Sequence, residues 1–495
     1  MQSILAVSIA GLAVIFLAMG FLTKRPGFQS VWEYFLASKS IQQNLIISLL
    51  ISGSFSLNGM LYQIYLGYKV GFWALLTQGL WALSFVWFAQ YAKEVTGSAG
   101  LHGFLGERFM GPTRRVAAIL SVIGLSLQIG WEYGVAKSAF SAFQAPGGEG
   151  VVAYAVFTIF AVTTIYTLVG GLRSNSWSDF VQNLLKGGSF VVIATILLES
   201  LTHSAPHTDW AAAILPAPGA LGAELGWWGL LANLAFSLLW QFVDLTAWQT
   251  VASAEGGDER AAKKSLYGAG LWVFIAPGIL GTVIGILLHP HAGLDANSIM
   301  PVLLSAVSLQ PLLTVVLVVA LAATIMSFID GMILGVGFTL IADLLFPGDV
   351  DKYKLLERPT EAQLKSLEYQ RVTAKILSAS RVILVAVVIL STVALSAVSD
   401  RFHLDLFNQV YLVIICQLAL FGPVIVSLSR RVPINKYVGA SSLILGVLAG
   451  FAAAIYGLTT HNDTSVNLAP LISLGVSLLM CVSLSRRNKI TVEYA

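Results

Sequence analysis

The sequence predicts an all-α integral membrane protein with about thirteen transmembrane helices. Apolar residues make up 57% of the 495 residues, charged residues only 11%, and the mean hydropathy is +0.81. Soluble domains carry about 25% charged residues. Because no stretch of the chain is polar enough for a separate soluble domain, we expect residues 1–495 to form a single transmembrane domain.

Thirteen apolar runs are long enough to cross a hydrocarbon core of about 30 Å, which requires ~20 residues of helix. Short polar turns, such as residues 255–258 and 461–463, separate them. Lys24 and Arg25 follow the first run and no basic residue precedes it, so we expect a retained span, not a cleaved signal peptide. The predicted spans are 4–22, 43–67, 72–92, 116–145, 151–170, 178–200, 226–250, 267–288, 312–345, 382–398, 405–428, 438–457 and 466–484.

The distribution of basic residues predicts which face is cytoplasmic. When the loops are assigned alternately to the two faces, 24 of the 28 lysines and arginines fall on one face. Lys69 and Arg401 fall on the other face, and Lys137 and Lys186 lie within spans. Since short cytoplasmic loops carry the excess of basic residues, we expect a multi-pass protein of the cell (inner) membrane with its N-terminus outside and its C-terminus in the cytoplasm.

Little in the sequence supports an enzyme. Cys416 and Cys481 lie inside apolar runs, which argues against a disulfide framework or a paired metal motif. His289 and His291 are weak evidence for a metal, and all seven histidines fall in loops or at span ends. No nucleophile motif, phosphate-binding loop or dinucleotide fingerprint occurs in a suitable context. We therefore predict that the protein is not an enzyme.

Charged residues inside spans need an explanation, because each costs ~2.5–3.5 kcal/mol on insertion scales. Lys137 is close enough to the outer end of its span to reach water. Asp179 and Asp244 lie near cytoplasmic ends, where a carboxylate is hydrated or caps a helix. Glu132 and Lys186 lie deepest and are the first functional candidates. The six residues concerned are Glu132, Lys137, Asp179, Lys186, Asp244 and Asp330.

The second span contains a cluster of poor helix formers, SGSFSLNG at residues 52–59. A helix broken here would expose backbone carbonyls that coordinate a cation, and such breaks persist in a membrane only where they line a protein-enclosed cavity. The alternative is that Gly53 and Gly59 only permit close helix packing. Both interpretations are open at this point.

Several motifs, in order and on the expected faces, resemble those of the sodium/solute symporter family. The most specific is YTLVGGLR at 166–173, followed by Trp177, Asp179 and Gln182, which is similar to the family's "Y…GGLxAVxWTDxxQ" signature. The sequence MSFIDG at 326–331 aligns with "SSxxDS". The remaining matches are YFLASKS at 34–40, GFLGERF at 103–109, AAKK at 261–264 and TLIAD at 339–343.

The resemblance implies an inverted-repeat fold of the leucine-transporter type. Five helices within 43–200 would form the first repeat and five within 226–428 the second, with one helix before them and two after. It also implies secondary active, cation-coupled (Na⁺ or H⁺) symport of a small organic solute by alternating access. A transporter-like sensor would continue into a signalling domain, but only residues 485–495 follow the last span, so a sensor would need a separate subunit.

The resemblance further implies a site for Na⁺, the one ion we expect as a possible cofactor. In the family, carbonyls at the break of the first repeat helix, a carbonyl and two hydroxyls in the eighth helix of the repeats, and a nearby aspartate surround the ion. The corresponding residues are Ser52, Phe55, Asp179, Ala323, Met326 and Ser327. Met326 replaces a serine, and a thioether is a poor ligand for a hard cation.

Lys186 is a second departure from the family, at a position that is apolar in its members. It lies two helical turns from Asp179 on the same face. An ammonium there would replace the bound cation, and transport would then be driven by protons, or by no ion, instead of by sodium. The alternative is a structural ion pair with Asp330 or Asp179.

The substrate is constrained only loosely. Sugar carriers of the family use several amides and hydroxyls, whereas the seventh span contains FSLLWQF at 236–242. We therefore favour a small acid, amide or amino acid over a sugar, and we expect the lipid bilayer, but no nucleic acid, as the other partner. The candidate substrate-binding residues are Asn58, Glu132, Trp240 and Gln241.

Overall fold

The computed structural model describes most of the chain as helix. The described residues are 2–24, 30–109, 111–144, 149–204, 209–290, 294, 299–307, 311–402, 406–429 and 436–492. Within these ranges there is no β-strand, only an isolated bridge between Ile41 and Ala254.

The longer helices follow the predicted apolar runs. They are Gln2–Leu22, Gln43–Ser54, Leu57–Val70, Leu75–Phe88, Pro112–Ser141, Glu149–Ser204, Trp227–Val243, Glu259–Val273, Pro311–Thr339, Leu367–Phe402, Leu406–Ser429, Lys436–Thr460 and Asp463–Val492. Two short helices, Leu245–Ala252 and Gly281–Leu287, lie in the same runs. Shorter helices are Val31–Leu36, Ala92–Gly97, Leu101–Phe109, Trp210–Ile214, Ala220–Leu225, Ile299–Val307, Pro347–Tyr353 and Glu361–Lys365, and π-helical turns occupy Phe274–Leu280 and Leu340–Leu345.

Eleven helical stretches in the described ranges are long and apolar enough to cross a membrane. Two of them, Leu57–Gly97 and Gly150–Glu199, have 41 and 50 residues, about twice what a bilayer requires. The second changes direction at Gly171, whose φ of 59° and ψ of −150° lie outside helical values. The predicted all-α membrane class is confirmed, and the number of thirteen spans stays a prediction.

Of the two interpretations of residues 52–59, the structure shows the broken helix. Helix Gln43–Ser54 ends at Phe55, whose φ of −120° and ψ of 73° are not helical. The next helix begins at Leu57, where Ser56 is the N-cap and its hydroxyl accepts a 2.9 Å hydrogen bond from the Gly59 amide. A serine N-cap satisfies an amide that has no partner inside the helix.

A second broken helix lies at Asp244, between Trp227–Val243 and Leu245–Ala252. The Asp244 carboxylate accepts hydrogen bonds from the amide and the hydroxyl of Thr246, at 2.9 and 2.7 Å. Asp244 is thus a helix cap, one of the two roles that its position in the sequence suggested. The two broken helices meet in the protein interior, since the Gln241 amide nitrogen approaches the Ser54 hydroxyl to 3.5 Å.

Candidate functional site

A cavity of about 100 Å³ lies beside the break at Phe55. This is several times the space that one water molecule requires. Backbone and side chains of the break form one side of it, and the other walls come from helices Leu75–Phe88, Pro112–Ser141, Trp227–Val243 and Leu406–Ser429. Its aromatic lining residues are Phe55, Tyr62, Trp81, Trp131, Phe236, Trp240 and Phe328.

Two of the four predicted substrate-binding residues, Asn58 and Trp240, line this cavity. Gln241 lies beside it and bonds through its backbone amide to the Ser84 hydroxyl, at 3.3 Å. Glu132 is 1% exposed and lies behind the break, where its carboxyl oxygens accept hydrogen bonds from the amides of Leu57 at 2.7 Å and Asn58 at 3.5 Å. In this structure Glu132 therefore caps the second half of the broken helix.

Three aromatic residues form a continuous part of the cavity wall. The ring centroids of Trp81 and Trp240 are 5.7 Å apart, those of Trp81 and Phe236 5.3 Å, and those of Phe236 and Trp240 4.8 Å. Trp240 was predicted from the sequence as a substrate-binding residue, whereas Trp81 and Trp131 were not. Trp81 and Trp131 lie in the middle of apolar runs, where an indole N–H group needs a hydrogen-bond partner. This requirement could have identified them as lining residues.

The coupling candidate Lys186 lies at the predicted cation site. Its ammonium nitrogen donates a 2.9 Å hydrogen bond to the Ser327 hydroxyl and lies 4.7 Å from the centroid of the Phe55 ring. Lys186 and Ser327 are fully buried. The structure thus brings together Phe55 from the helix break, Ser327 from the helix Pro311–Thr339, and Lys186.

The direct ion pair that the sequence left open for Lys186 is not formed. In the described part of the chain no carboxylate oxygen lies within 4.0 Å of the ammonium. Asp179, Asp330 and Glu132 are its charged neighbours, from the same helix and from two adjacent ones. The ammonium therefore lies among three carboxyl groups without pairing with any one of them.

Two hydroxyl groups hold Asp330, one of the two aspartates near Lys186. Asp330 accepts hydrogen bonds from the hydroxyls of Tyr166 at 2.8 Å and Ser178 at 3.5 Å. One carboxyl oxygen of Asp330 and one of Asp179 have no hydrogen-bond partner among the residues that the structure describes. Tyr166 and Ser178 were not selected from the sequence as site residues, although both belong to the "Y…WTD" signature.

The other predicted cation ligands lie on either side of this group. Ser52 is 1% exposed, and its hydroxyl is 3.4 Å from the side-chain oxygen of Asn183. Ala323 and Met326 are buried, and the Met326 carbonyl accepts a 3.4 Å hydrogen bond from the Tyr166 hydroxyl. Met326 supplies a thioether where the family has a hydroxyl, and the Ser327 hydroxyl is already bonded to an ammonium. This set of ligands therefore suits Na⁺ less well than a set with carbonyls and two hydroxyls.

Comparison with known proteins identifies the fold. No protein-family model and no curated protein matches the chain. A Na⁺-coupled sialic acid symporter in a substrate-bound outward-open state is similar, with a TM-score of 0.74 and 14% identity over 98% of each chain. Mhp1, a nucleobase-cation-symport-1 family transporter in a closed conformation with bromovinylhydantoin bound, has a TM-score of 0.53 and 12% identity over 95% of this chain and 96% of its own. The predicted leucine-transporter-type fold is therefore confirmed.

Proposed function

We propose that this protein is a secondary active transporter that carries a small organic solute across the membrane by alternating access. The observation that carries the proposal is the cavity at the break of helix 43–70, because irregular backbone inside a membrane persists only where it lines such a space. The shared fold of two symporters supports it. The repeats 43–200 and 226–428 would rock against each other around this cavity, with the N-terminus outside and the C-terminus in the cytoplasm.

We further propose that the Lys186 ammonium takes the position of the coupling sodium ion. Both carry one positive charge, and an ammonium donates up to three hydrogen bonds, so it can contact Ser327 and the Phe55 ring at once. A sodium ion that entered beside a fixed ammonium would be repelled in a medium of low dielectric constant. Transport would then not require Na⁺, and a proton gradient or the solute gradient alone would drive it.

The test begins with purified protein and needs no known substrate. At equal ionic strength, NaCl and KCl should give the same melting temperature, since nothing in the site selects Na⁺. A stabilisation that is specific for Na⁺ would contradict the replacement of sodium by Lys186. It would leave the transporter proposal intact.

Transport itself is tested in liposomes. A solute that stabilises the purified protein should accumulate in proteoliposomes without a sodium gradient, and imposed proton gradients then separate a proton-coupled carrier from an uncoupled one. If every stabilising solute binds but none crosses the membrane, the transporter proposal fails and a sensor becomes the better explanation.

A further inference from the structure

We infer that the central cavity binds an uncharged, planar solute that carries amide-type hydrogen-bonding groups. The inference rests on the proposed function, because it assigns the substrate class of the cavity through which transport would occur. It narrows the choice left by the sequence, among a small acid, an amide and an amino acid, to the neutral amide class.

The charges around the cavity disfavour an anionic solute. None of the described side chains that line the cavity is charged. At a broken helix, a substrate carboxylate is normally held by the free amides of the helix N-terminus. Here Glu132 accepts from the amides of Leu57 and Asn58, and Ser56 accepts from that of Gly59.

The second broken helix offers no anion site either. The Asp244 carboxylate accepts from the Thr246 amide at 2.9 Å, so the protein's own carboxyl groups cap the N-termini at both breaks. A substrate carboxylate would lose its water shell without gaining these donors.

A cationic solute is disfavoured for a different reason. Aromatic walls do attract ammonium groups. However, Phe55 lines the cavity while the Lys186 ammonium lies 4.7 Å from the centroid of the same ring. A second cation would therefore be placed close to a fixed positive charge, with no carboxylate in the lining to offset the repulsion.

Unpartnered polar atoms of lining residues indicate which groups the solute carries. The donors are the indole nitrogens of Trp81 and Trp131 and the amide nitrogen of Asn58, and the acceptors are the side-chain oxygens of Asn58 and Gln128. These atoms are buried and have no hydrogen-bond partner among the described residues. Since buried polar groups are normally paired, a ligand with carbonyl oxygens and an N–H group would satisfy them.

The shape of the wall favours a flat molecule. Trp81, Phe236 and Trp240 present contiguous aromatic rings, with centroid separations of 4.8 to 5.7 Å. Rings of this kind make offset or edge-to-face contacts with another planar ring. A sugar, with hydroxyls on both faces, would leave polar groups against the apolar surface.

The experiment compares how tightly the purified full chain binds small ligands that share one ring and differ in charge. Nicotinamide is neutral, nicotinate is its anionic counterpart, and 1-methylnicotinamide is a cation, with neutral 5-methylnicotinamide as its control for size. Binding is measured by thermal stabilisation and by tryptophan fluorescence. We expect nicotinamide and uracil to bind at millimolar concentrations or below, and the charged probes to bind at least about tenfold more weakly.

Either of two results would overturn the inference. One is binding of nicotinate or 1-methylnicotinamide as tight as that of the neutral probe. The other is that neither nicotinamide nor uracil binds at millimolar concentrations. If neutral rings bind but are not taken up by proteoliposomes, the inference is retained and the transport proposal fails; if another class of solute is taken up, only the inference fails.

Matched variants test the role of the indole donors. Trp81→Phe and Trp131→Phe keep an aromatic ring and remove the N–H group, so nicotinamide should bind about tenfold more weakly to each. Trp87→Phe is the control, because Trp87 is on the same helix as Trp81 but packs against Phe242 and does not line the cavity. Gln128→Met, which removes an acceptor with little change in volume, provides the readout if a tryptophan variant does not fold. Wild-type affinity in all variants would overturn the assignment.

Discussion

The side chains of Lys186 and Ser327, 141 residues apart in the sequence, are joined by a hydrogen bond of 2.9 Å in the protein interior. This bond connects helix Glu149–Ser204 to helix Pro311–Thr339 beside the break at Phe55. It places a positive charge of the protein itself at the position where the resemblance implied a sodium ion.

The charge of Lys186 should be needed for transport. Lys186→Met, which keeps the length but never carries a charge, should reduce solute uptake at least about tenfold, because three carboxyl groups then lack their cation. Lys186→Arg should retain part of the activity. Lys137→Met is the control, since Lys137 is exposed near the end of its helix. Uptake by folded Lys186→Met at the wild-type rate would contradict a coupling role.

Ser327 should contribute to stability through its bond to Lys186. Ser327→Ala leaves a buried ammonium with one partner fewer, and we expect a loss of ~1–3 kcal/mol in the free energy of unfolding. Ser380→Ala should be nearly neutral, because the hydroxyl of this equally buried serine bonds only within its own helix, to the Ile376 carbonyl. Denaturation in detergent compares the two. If sodium binds after all, Ser327→Ala should instead weaken sodium-dependent uptake.

Glu132 should behave as a structural cap. Glu132→Ala removes the acceptor for the Leu57 and Asn58 amides and should cost ~1–3 kcal/mol of stability. Glu132→Gln keeps one acceptor oxygen and should cost less. Thermal unfolding measures both, with Glu107→Ala, a change at an exposed residue, as the control. An Ala variant as stable as the control would show that the cap is dispensable.

Gly171 should not tolerate a side chain. Its φ of 59° and ψ of −150° are strained for any other residue, and an added Cβ would overlap the Tyr34 carbonyl. We expect Gly171→Ala to lower the yield of folded protein severely. Gly187→Ala, in the same helix but with no atom within 4 Å of the added Cβ, should be neutral or slightly stabilising. Equal yields of the two variants in membranes would contradict the packing argument.

The membrane orientation is tested by labelling. In a background with Cys416 and Cys481 replaced, single cysteines at Asn462 and Lys365 should react with an impermeant reagent from opposite faces, Asn462 from outside. Both positions are exposed, so failure to react would not reflect burial. Labelling of both from the same side would remove the basis of the span assignment.

The fold class followed from composition because a membrane leaves few alternatives to helices. The break at Phe55 was also predictable, since glycine and serine cluster there. The break at Asp244 was not, because Trp227–Ala252 is a continuous apolar stretch of 26 residues without glycine in its middle or any proline. Only the local capping pair of Asp244 and Thr246 marks it.

Two residues of the candidate site were singled out from the sequence, and they come from two different motifs. Lys186 was singled out as a charge deep inside a span at a position that is apolar in the family, and Ser327 as the hydroxyl that remains in the motif at 326–331. The position of Glu132 was not predictable, because its partners are backbone amides 74 and 75 residues away, which carry no signal in the sequence. Hydrogen bonds from a side chain to distant backbone amides depend on how the helices pack, and no pattern of residues in the sequence predicts them.

Phe55 contacts both the solute cavity and the Lys186 ammonium. Its ring lines the solute cavity, stacks on Phe190 at 5.8 Å and contacts the Lys186 ammonium. Any rotation of this ring changes the surroundings of solute and ammonium together, so the two occupancies are thermodynamically linked. The linkage is reciprocal. If bound solute favours the ring position that contacts the Lys186 ammonium, this contact raises the affinity for the solute by the same factor. The Phe55 ring, which lies where helix Gln43–Ser54 ends, would thus couple the free energy of solute binding to that of the Lys186 contacts.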